Sequence, residues 1–231
     1  MLELTILMPC LNEEKTVGRC VQEAIKAINI SKVRGEVLVA DNGSLDSSRQ
    51  VAMEAGARVV AVSRRGYGNA IRAGVKAARG RWVVTADADG SYTFKSIPIF
   101  IRELRRGYQL VHGARLLGRM QKGSMKWTHQ HIGIPFFNML VSGLFGIKVR
   151  DSQSGMRGFC RGKFIGLSLR ASGMEFNVEL LAAVARMNLR FVEVPVDFRR
   201  DGRKGPSHLR TFRDGLRNLR MAWQVYRTIP G

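Results

Sequence analysis

Acidic residues are scarce in this chain. Its 231 residues hold 18 Asp and Glu against 38 Lys and Arg, a formal net charge of +20. A field of that sign draws polyanions (nucleic acid, an anionic membrane surface or phosphorylated small molecules) and by itself selects none of the three. Cysteine is scarce as well. Cys10, Cys20 and Cys160 are odd in number and lack metal-ligand spacing, which argues against a disulfide framework and for a reducing, cytosolic setting. Aromatic residues make up only 8% and no nucleic-acid motif occurs, so a basic nucleic-acid-binding protein is the weaker reading of the charge and nucleic acid is not an expected partner. The first residues, MLELTILMPC, lack a basic region leading into a long apolar segment. A secretory signal is therefore not expected; a buried first strand is.

Charge is missing from one stretch, between Lys126 and Lys148 with histidine taken as neutral. Its length would suit a membrane helix of about 20 apolar residues. However, His129, Gln130, His131, Asn138 and Ser142 interrupt it, and Gly133, Pro135, Gly143 and Gly146 weaken a straight span. Two readings stay open: an interfacial or half-buried helix pair, and an ordinary apolar helix packed in the core.

What is present is an ordinary globular composition, 45% hydrophobic and 24% charged, at a length that suits one domain with appendages. Short apolar runs alternate with helical patterns. Strands are expected at Leu4–Met8, Glu36–Ala40, Arg58–Ser63, Trp82–Ala86 and Gln109–Gly113, and helices at about Glu14–Ile28, Leu45–Ala55, Gly68–Ala78 and Lys95–Arg106. Runs such as EVLVA and WVVTA lack polar alternation, as strands covered on both faces do. This predicts an α/β fold with a mostly parallel sheet and helices on both faces. Further on, Asn177–Met187 reads as a helix and Arg190–Asp197 as a strand ending at Pro195, while 151–159 is a polar turn leading into another element.

Ligands of such sheets bind beyond the carboxyl ends of the strands, and that is where the polar clusters fall. The four are Pro9-Cys10-Leu11-Asn12-Glu13-Glu14, Asp41-Asn42-Gly43-Ser44-Leu45-Asp46, Arg64-Arg65-Gly66-Tyr67-Gly68-Asn69 and Asp87-Ala88-Asp89-Gly90-Ser91-Tyr92. On an extended strand end, residues two apart point the same way, so Asp87 and Asp89 can face one point. Two hard oxygen ligands suit Mg²⁺ or Mn²⁺, which completes its shell with substrate phosphates and water. Asp41 has two readings: acceptor of a hydrogen bond from a nucleotide base, or part of a loop in which Ser44 or Asp46 caps the next helix. Gly66-Tyr67-Gly68 does not complete a dinucleotide fingerprint, because position 71 is Ile71. Glycine before a helix still allows close phosphate approach, so Gly68 is a candidate donor contact.

Taken together, LMPCLNEE, VLVADNGSLDSS, RRGYGNAIRAG and VVTADADGSY, in that order, resemble glycosyltransferase family 2 with its GT-A, Rossmann-like fold. HGARLLG, RDSQSGMRGF, GMEFNVELL, FVEVPVDF and GPSHLRTFRDGLRNLR resemble its polyprenyl-phosphate branch, the dolichol-phosphate glucose and mannose synthase-like enzymes. The resemblance implies inverting transfer of a hexose from a nucleotide-sugar, UDP-glucose favoured over GDP-mannose, to a polyprenyl or dolichyl monophosphate. It implies that Pro9, Asn12, Glu13 and Asp41 hold the nucleotide, with Ala88 beside them, and that Asp87 and Asp89 hold the metal. Arg115 would meet acceptor phosphate or donor diphosphate, and Asp151 and Arg157 would lie near the reacting centre. Glu175, Ser207 and His208 are further candidate acceptor or phosphate contacts; Ser207-His208 stands where relatives show Ser-Lys. Ser91 stands where some relatives place a Gln that ligates the metal.

A phosphate acceptor is already an anionic nucleophile, so positioning and charge stabilisation matter more than a strong base. A soluble acceptor with a sugar hydroxyl would instead need a carboxylate base, for which Asp151, Glu175 and Glu179 are candidates. The expected organisation is a catalytic domain over 1–207, with the apolar segment 116–149 at a membrane interface, and a basic amphipathic helix over 208–231. In that tail Leu209, Phe212, Leu216, Leu219 and Trp223 recur at helical steps among arginines. Such a helix either packs its apolar face on the domain or lies on a membrane. The expected location is the cytoplasmic face of a membrane, peripherally attached to an anionic surface, as a peripheral enzyme or the soluble part of a longer one.

Overall fold

The structure, a computed structural model, describes residues 2–202 and 211–227. In chain order its elements are β1 (Leu2–Cys10), α1 (Val17–Ile30), β2 (Gly35–Asp41), α2 (Ser48–Glu54), β3 (Arg58–Ala61), α3 (Tyr67–Ala77), β4 (Gly80–Thr85) and α4 (Ile97–Arg105). There follow β5 (Leu110–Ala114), α5 (Ile134–Phe145), β6 (Arg157–Cys160), α6 (Arg161–Ile165), α7 (Phe176–Arg186), β7 (Phe191–Pro195) and α8 (Thr211–Tyr226). The seven strands form one sheet in the order β3-β2-β1-β4-β6-β5-β7.

The unbroken apolar runs have the expected cause. Successive side chains of a strand point to opposite faces, and here each face is covered. Leu4, Ile6 and Met8 of β1, Val37 and Val39 of β2 and Val84 of β4 pack with Val17, Val21 and Ala24 of α1 and Ile97, Phe100 and Leu104 of α4. On the other face Leu7, Leu38, Ala40 and Val83 pack with Ala70, Ile71 and Val75 of α3 and Val178, Leu181 and Ala182 of α7. Truncating a fully buried residue such as Ile6 to Ala should cost about 2–5 kcal/mol.

β1 is parallel to β2 and β4, β2 to β3, and β5 to β7, whereas β6 runs antiparallel between β4 and β5. Two antiparallel steps restore direction, so β5 and β7 point the same way as β1 to β4. The carboxyl ends of six strands therefore share one rim, and β6 begins at that rim. The loop before β6, Asp151–Met156, is thereby delivered to the ends of β4 and β5. The sequence reading left this element unassigned. A four-residue strand, RGFC, carries too few positions for periodicity to reveal.

The uncharged stretch resolves into a π-helical turn, His129–Gly133, running into α5 with Pro135 in its first turn. No helix among the described residues is long and apolar enough to cross a membrane. α8 is a helix, as expected, and it packs against α5 and α7. It does so through Met221, Ala222 and Val225, with Asn218 beside them. Its buried positions are Asn218 and Ala222, while Leu216, Leu219 and Trp223 are exposed. A helix packed on the domain with its arginines outside is thus one of the two expected arrangements, but Leu216, Leu219 and Trp223 of the expected stripe lie on the outer face with them.

Candidate active site

The first two rim loops are tied to each other. Asn12 has a left-handed backbone, φ 55°; its N–H donates to Ser44 Oγ (2.9 Å) and its Oδ1 accepts from Leu45 N–H (2.8 Å). Glu13 N–H donates to Ser48 Oγ (2.7 Å). Asp46 accepts from the N–H groups of Ser48 and Glu14, satisfying donors at the start of α2 as the capping reading foresaw. Asp41, fully buried, accepts from Gly43 and Ser44 N–H and from Arg49 Nε at 2.6 Å. Burial alone would raise its pKa, but these donors hold it below the ordinary carboxylate value. Pro9 pairs with Ala40 one step before Cys10 meets Asp41, so the β1 and β2 ends lie level. Burial pushes the Cys10 and Cys20 thiols up to about 12, which keeps both protonated and inert. All three cysteines are free.

Asp87 and Asp89 follow β4. Asp89 is buried, and its Oδ1 accepts from Ser91 N–H (2.9 Å) and Ser91 Oγ (2.6 Å). Ser91 thus orients Asp89. Asp87 packs on the neighbouring loop, where a Cβ at Gly155 would lie 2.8 Å from Asp87 Oδ2; glycine is needed there so that the carboxylate can lie flat on the chain. Tyr92 Oη accepts from Gly155 N–H (2.8 Å), and Thr85 Oγ1 donates to Gly155 O (2.7 Å). Arg199 and Gly202 N–H donate to Ser91 O and Asp89 O, closing the 199–202 segment over this turn. Among the described residues no three His, Cys, Asp or Glu side chains cluster as a metal site. The donor set is two hard carboxylates, which fits Mg²⁺ or Mn²⁺ held jointly with phosphate oxygens and water rather than a closed structural zinc site.

The sequence placed Arg115, Asp151 and Arg157 together, and the structure does bring them together. Asp151 is fully buried. Arg115 grips it with Nε on Oδ2 (2.8 Å) and Nη2 on Oδ1 (2.7 Å), and Arg115 N–H adds a third bond to Oδ2 (2.8 Å). The guanidinium also stacks over Phe198 at 5.1 Å. Burial would raise the Asp151 pKa, yet Arg115 overrides it and holds the carboxylate below its ordinary value. Next to the pair, Arg157 is 1% exposed; its Nε donates to His112 Nδ1 (3.3 Å) and its Nη1 to Asn177 Oδ1 (2.6 Å). With Nδ1 accepting, His112 carries its proton on Nε2 and donates to Asp151 O (2.7 Å). Burial, then the Arg157 charge, push the His112 pKa down to about 3, so it is a neutral linker. Burial also lowers the Arg157 pKa, and its Nη2 has no hydrogen-bond partner in the protein.

Three further candidates are Gly68, Glu175 and Glu179. Gly66 and Gly68 are indeed a close approach, but to the chain itself: Cβ atoms there would lie 2.2 Å from Ser172 O and Ala171 O, and Gly68 N–H donates to Ser172 O. Backbone packing by itself requires glycine at position 68. Glu175 stands just before α7 with a helical backbone, and Glu179 N–H donates to its carbonyl, so the two lie one turn apart. Glu179, a candidate base, accepts from Arg170 and Ala171 N–H and so fixes the loop before α7. Glu175 Oε1 accepts from Gly173 N–H while its buried Oε2 has no partner in the protein. Ser207 and His208 lie outside the described residues. His112, Tyr92 and Asn177 were not among the sequence candidates. Each sits inside a recognised motif, but a buried residue that links others has no spacing signature of its own.

Comparison with known proteins agrees with this geometry. The pattern of glycosyl transferase family 2 matches residues 5–167. A dolichyl-phosphate hexose transferase of Haloferax volcanii is 31% identical over 214 residues, 92% of this chain and 89% of that protein. The low-salt glycan biosynthesis hexosyltransferase Agl6 of the same organism is 33% identical over 218 residues, 94% of this chain; the chain spans about half of that relative, 52%. Among solved structures, glucosyl-3-phosphoglycerate synthase from Mycobacterium tuberculosis, in complex with Mn²⁺, UDP and glucosyl-3-phosphoglycerate, superposes with a TM-score of 0.74. It is 22% identical and covers 100% of this chain and 81% of its own, a likeness of fold. The chain belongs to glycosyl transferase family 2, with the mixed, mostly parallel α/β sheet of the GT-A fold.

Proposed function

We propose that this family 2 glycosyltransferase moves a hexose from a nucleotide-sugar, UDP-glucose before GDP-mannose, to a polyprenyl or dolichyl monophosphate, with inversion and with Mg²⁺ or Mn²⁺. The observation that carries the choice of acceptor is the state of Asp151. A carboxylate gripped by three N–H donors and held below its ordinary pKa is a poor proton acceptor near neutral pH. An acceptor that brings its own negative charge, as a monophosphate does, needs no base from Asp151. The name of the Haloferax volcanii dolichyl-phosphate hexose transferase supports the same acceptor class.

In this reading the tied loops of β1 and β2, with Pro9, Asn12, Glu13 and Asp41, form the nucleotide floor. Asp87 and Asp89 would hold the divalent cation, which when bound neutralises charge on the departing diphosphate. Arg115, fixed by Asp151 and Phe198, presents a preset positive charge to an incoming phosphate. Arg157, fixed by His112 and Asn177, adds a second guanidinium with one nitrogen unpaired in the protein. The enzyme would work peripherally on an anionic membrane, at its cytoplasmic face.

A second reading has one observation in its favour. Glu175 is buried with Oε2 unpartnered, so a soluble hydroxyl acceptor could find its base there. The deciding experiment is radiolabelled transfer from UDP-glucose and GDP-mannose to a polyprenyl monophosphate, with Glu175→Gln alongside. Metal-dependent lipid-linked sugar that survives Glu175→Gln supports the phosphate acceptor. No lipid product with either donor, despite metal-dependent nucleotide binding, would overturn it.

A further inference from the structure

We propose that Arg199 is a positioning residue of the metal site: its guanidinium, held by Glu23 of α1, fixes the turn that directs Asp89 toward the cation. The inference rests on the reading of Asp87 and Asp89 as the metal carboxylates, and it adds a residue distant from both in sequence.

The turn after β4 has little to hold it from within. Ser91 fastens the Asp89 carboxylate with its N–H and Oγ. Between the two, Gly90 has a left-handed backbone, φ 79°, and glycine moves among backbone conformations more freely than any other residue. The carbonyls of the turn are held from outside instead. Ala88 O accepts from Cys20 Sγ of α1 (3.4 Å). Asp89 O accepts from Gly202 N–H (2.9 Å) and Ser91 O from Arg199 N–H (2.8 Å). Gly90 O accepts from Arg199 Nε (2.6 Å). Consecutive carbonyls from Ala88 to Ser91 are thus taken by α1 and the 199–202 segment, and Arg199 supplies the bonds to Gly90 and Ser91.

Arg199 is itself held. Its Nη2 donates to both carboxylate oxygens of Glu23, at 2.9 and 2.8 Å, and Glu23 follows Cys20 by less than a turn of α1. Arg19 pairs with Glu23 from the same helix at 3.8 Å and lies over Gly90, where a Cβ would be 2.5 Å from its Nη2. The segment also passes close to the nucleotide side of the rim. A Cβ at Gly202 would lie 2.7 Å from Thr16 Cγ2, and Thr16 Oγ1 bonds Glu13. The metal turn is therefore fastened to the helix that starts beside the nucleotide floor, and Arg199 is the fastener.

The ion pair adds little to stability. The Arg199 and Glu23 side chains are 29% and 31% exposed, and water screens a pair of that kind. What the pair fixes is direction. A guanidinium is a planar fork, so anchoring Nη2 on Glu23 sets where Nε points, and it points at Gly90 O. The single ammonium of a lysine cannot reproduce that fork. Arg199 lies 109 residues from Gly90 and 176 from Glu23, a relation that no motif spacing announces. Groups that orient metal ligands from behind typically change metal affinity or activity by about 10- to 100-fold when removed.

The test is Mn²⁺ binding to the full chain, read from the paramagnetic resonance signal of the free ion. It is run with whichever of UDP and GDP the wild type binds more tightly, and nucleotide binding in EDTA is measured alongside by calorimetry. Arg199→Gln should weaken Mn²⁺ by about tenfold or more while nucleotide binding in EDTA stays within about twofold of wild type. Arg199→Lys, which keeps the charge and the backbone N–H but not the fork, should fall between the two. Glu23→Gln should weaken Mn²⁺ by about two- to fivefold, because Arg199 keeps its bonds to the turn and loses only its anchor. Mn²⁺ affinity of Arg199→Gln within about twofold of wild type would overturn the proposal. So would nucleotide binding weakened equally with and without metal, the mark of a loosened fold. Should Arg199→Gln fail to fold, wild-type Mn²⁺ affinity in both Arg199→Lys and Glu23→Gln would overturn it. Asp89→Ala separates the two readings. Metal-dependent nucleotide binding that survives Asp89→Ala removes the metal carboxylates themselves; binding lost there but retained in Arg199→Gln removes only the role of Arg199.

Discussion

At the ends of β1 and β2 the rim carboxylates are satisfied mainly by backbone: Asp46 by Ser48 and Glu14 N–H, Asp41 by Gly43 and Ser44 N–H. At the ends of β5 and β6 the groups are satisfied by each other's side chains, Asp151 by Arg115 and Arg157 by His112 and Asn177. The second arrangement is also less complete. Ser152, Gln153, Arg157, Glu175, Asn177 and Asn218 each keep a buried polar atom without a partner in the protein, whereas Thr93 is the only such residue described before position 120. Each unpaired buried group costs about 1–3 kcal/mol, so the β5–β6 side is poised to gain from a polar ligand while the β1–β2 side is already settled. In the proposed reading, a fixed nucleotide floor would lie beside a less satisfied acceptor side.

The comparison breaks most visibly at Asp151. Asp151→Asn leaves Arg115 buried without its counter-charge, which should destabilise by about 3–5 kcal/mol and lower the melting midpoint by about 10 °C in a chain of this size. Replacing both partners, Arg115→Met with Asp151→Leu, should recover most of that loss without restoring transfer. Calorimetry on the three proteins checks it, and a double variant as unstable as the single would show that the pair is not an isolated couple. On the β4 side, Asp89→Ala should reduce transfer by about 100-fold or more and remove metal-dependent stabilisation by UDP or GDP, while the loss of its bonds from Ser91 costs the unliganded protein about 1–3 kcal/mol.

These two sides were not equally readable from the sequence. β1 to β5 announced themselves because each is apolar on both faces, and β1 to β4 end in polar clusters from which the motif carboxylates followed by position. β6 did not, being four residues long and antiparallel. His112 and Asn177 did not, because His112 joins Asp151 to Arg157 across 39 and 45 residues of chain and Asn177 meets Arg157 across 20, relations no local pattern encodes. The orientation of α8 was legible as amphipathy but not as direction. Periodicity says that two faces differ; the one that meets the domain carries Asn218, Met221, Ala222 and Val225, not Leu216, Leu219 and Trp223.

Acid should separate the two sides by pH. The His112 pKa is pushed from 6.5 to about 3 in the folded protein, so below about 6.5 the unfolded chain binds a proton the folded one refuses, and stability falls as pH falls. At pH 5 that loss should reach about 2 kcal/mol relative to pH 8. His112→Gln keeps a donor and an acceptor without titrating, and should flatten the midpoint-against-pH curve between 6.5 and 5. Asp41 acts lower. Its folded pKa lies below the ordinary 3.8, so its contribution is complete above that value and is lost only as pH falls through the folded value. An unchanged slope in the His112 variant would show that other groups govern the neutral-to-mildly-acid range.

The smallest effect expected is the most useful control, because it lies on the settled side. Arg49 Nε meets Asp41 at 2.6 Å, but the Arg49 side chain is 48% exposed while that of Asp41 is fully buried. Solvent screens a pair of this kind, so Arg49→Gln should cost no more than about 1 kcal/mol. Asp41 would keep its bonds from Gly43 and Ser44 N–H, and these, not the guanidinium, hold the loop in place. Nucleotide stabilisation in the presence of Mn²⁺ should then stay within about twofold of wild type in apparent affinity. A loss comparable to that of Asp151→Asn would mean that the β1–β2 side is held by its exposed charge after all. The contrast between backbone-satisfied and side-chain-satisfied halves of the rim would then fail where it was drawn most firmly.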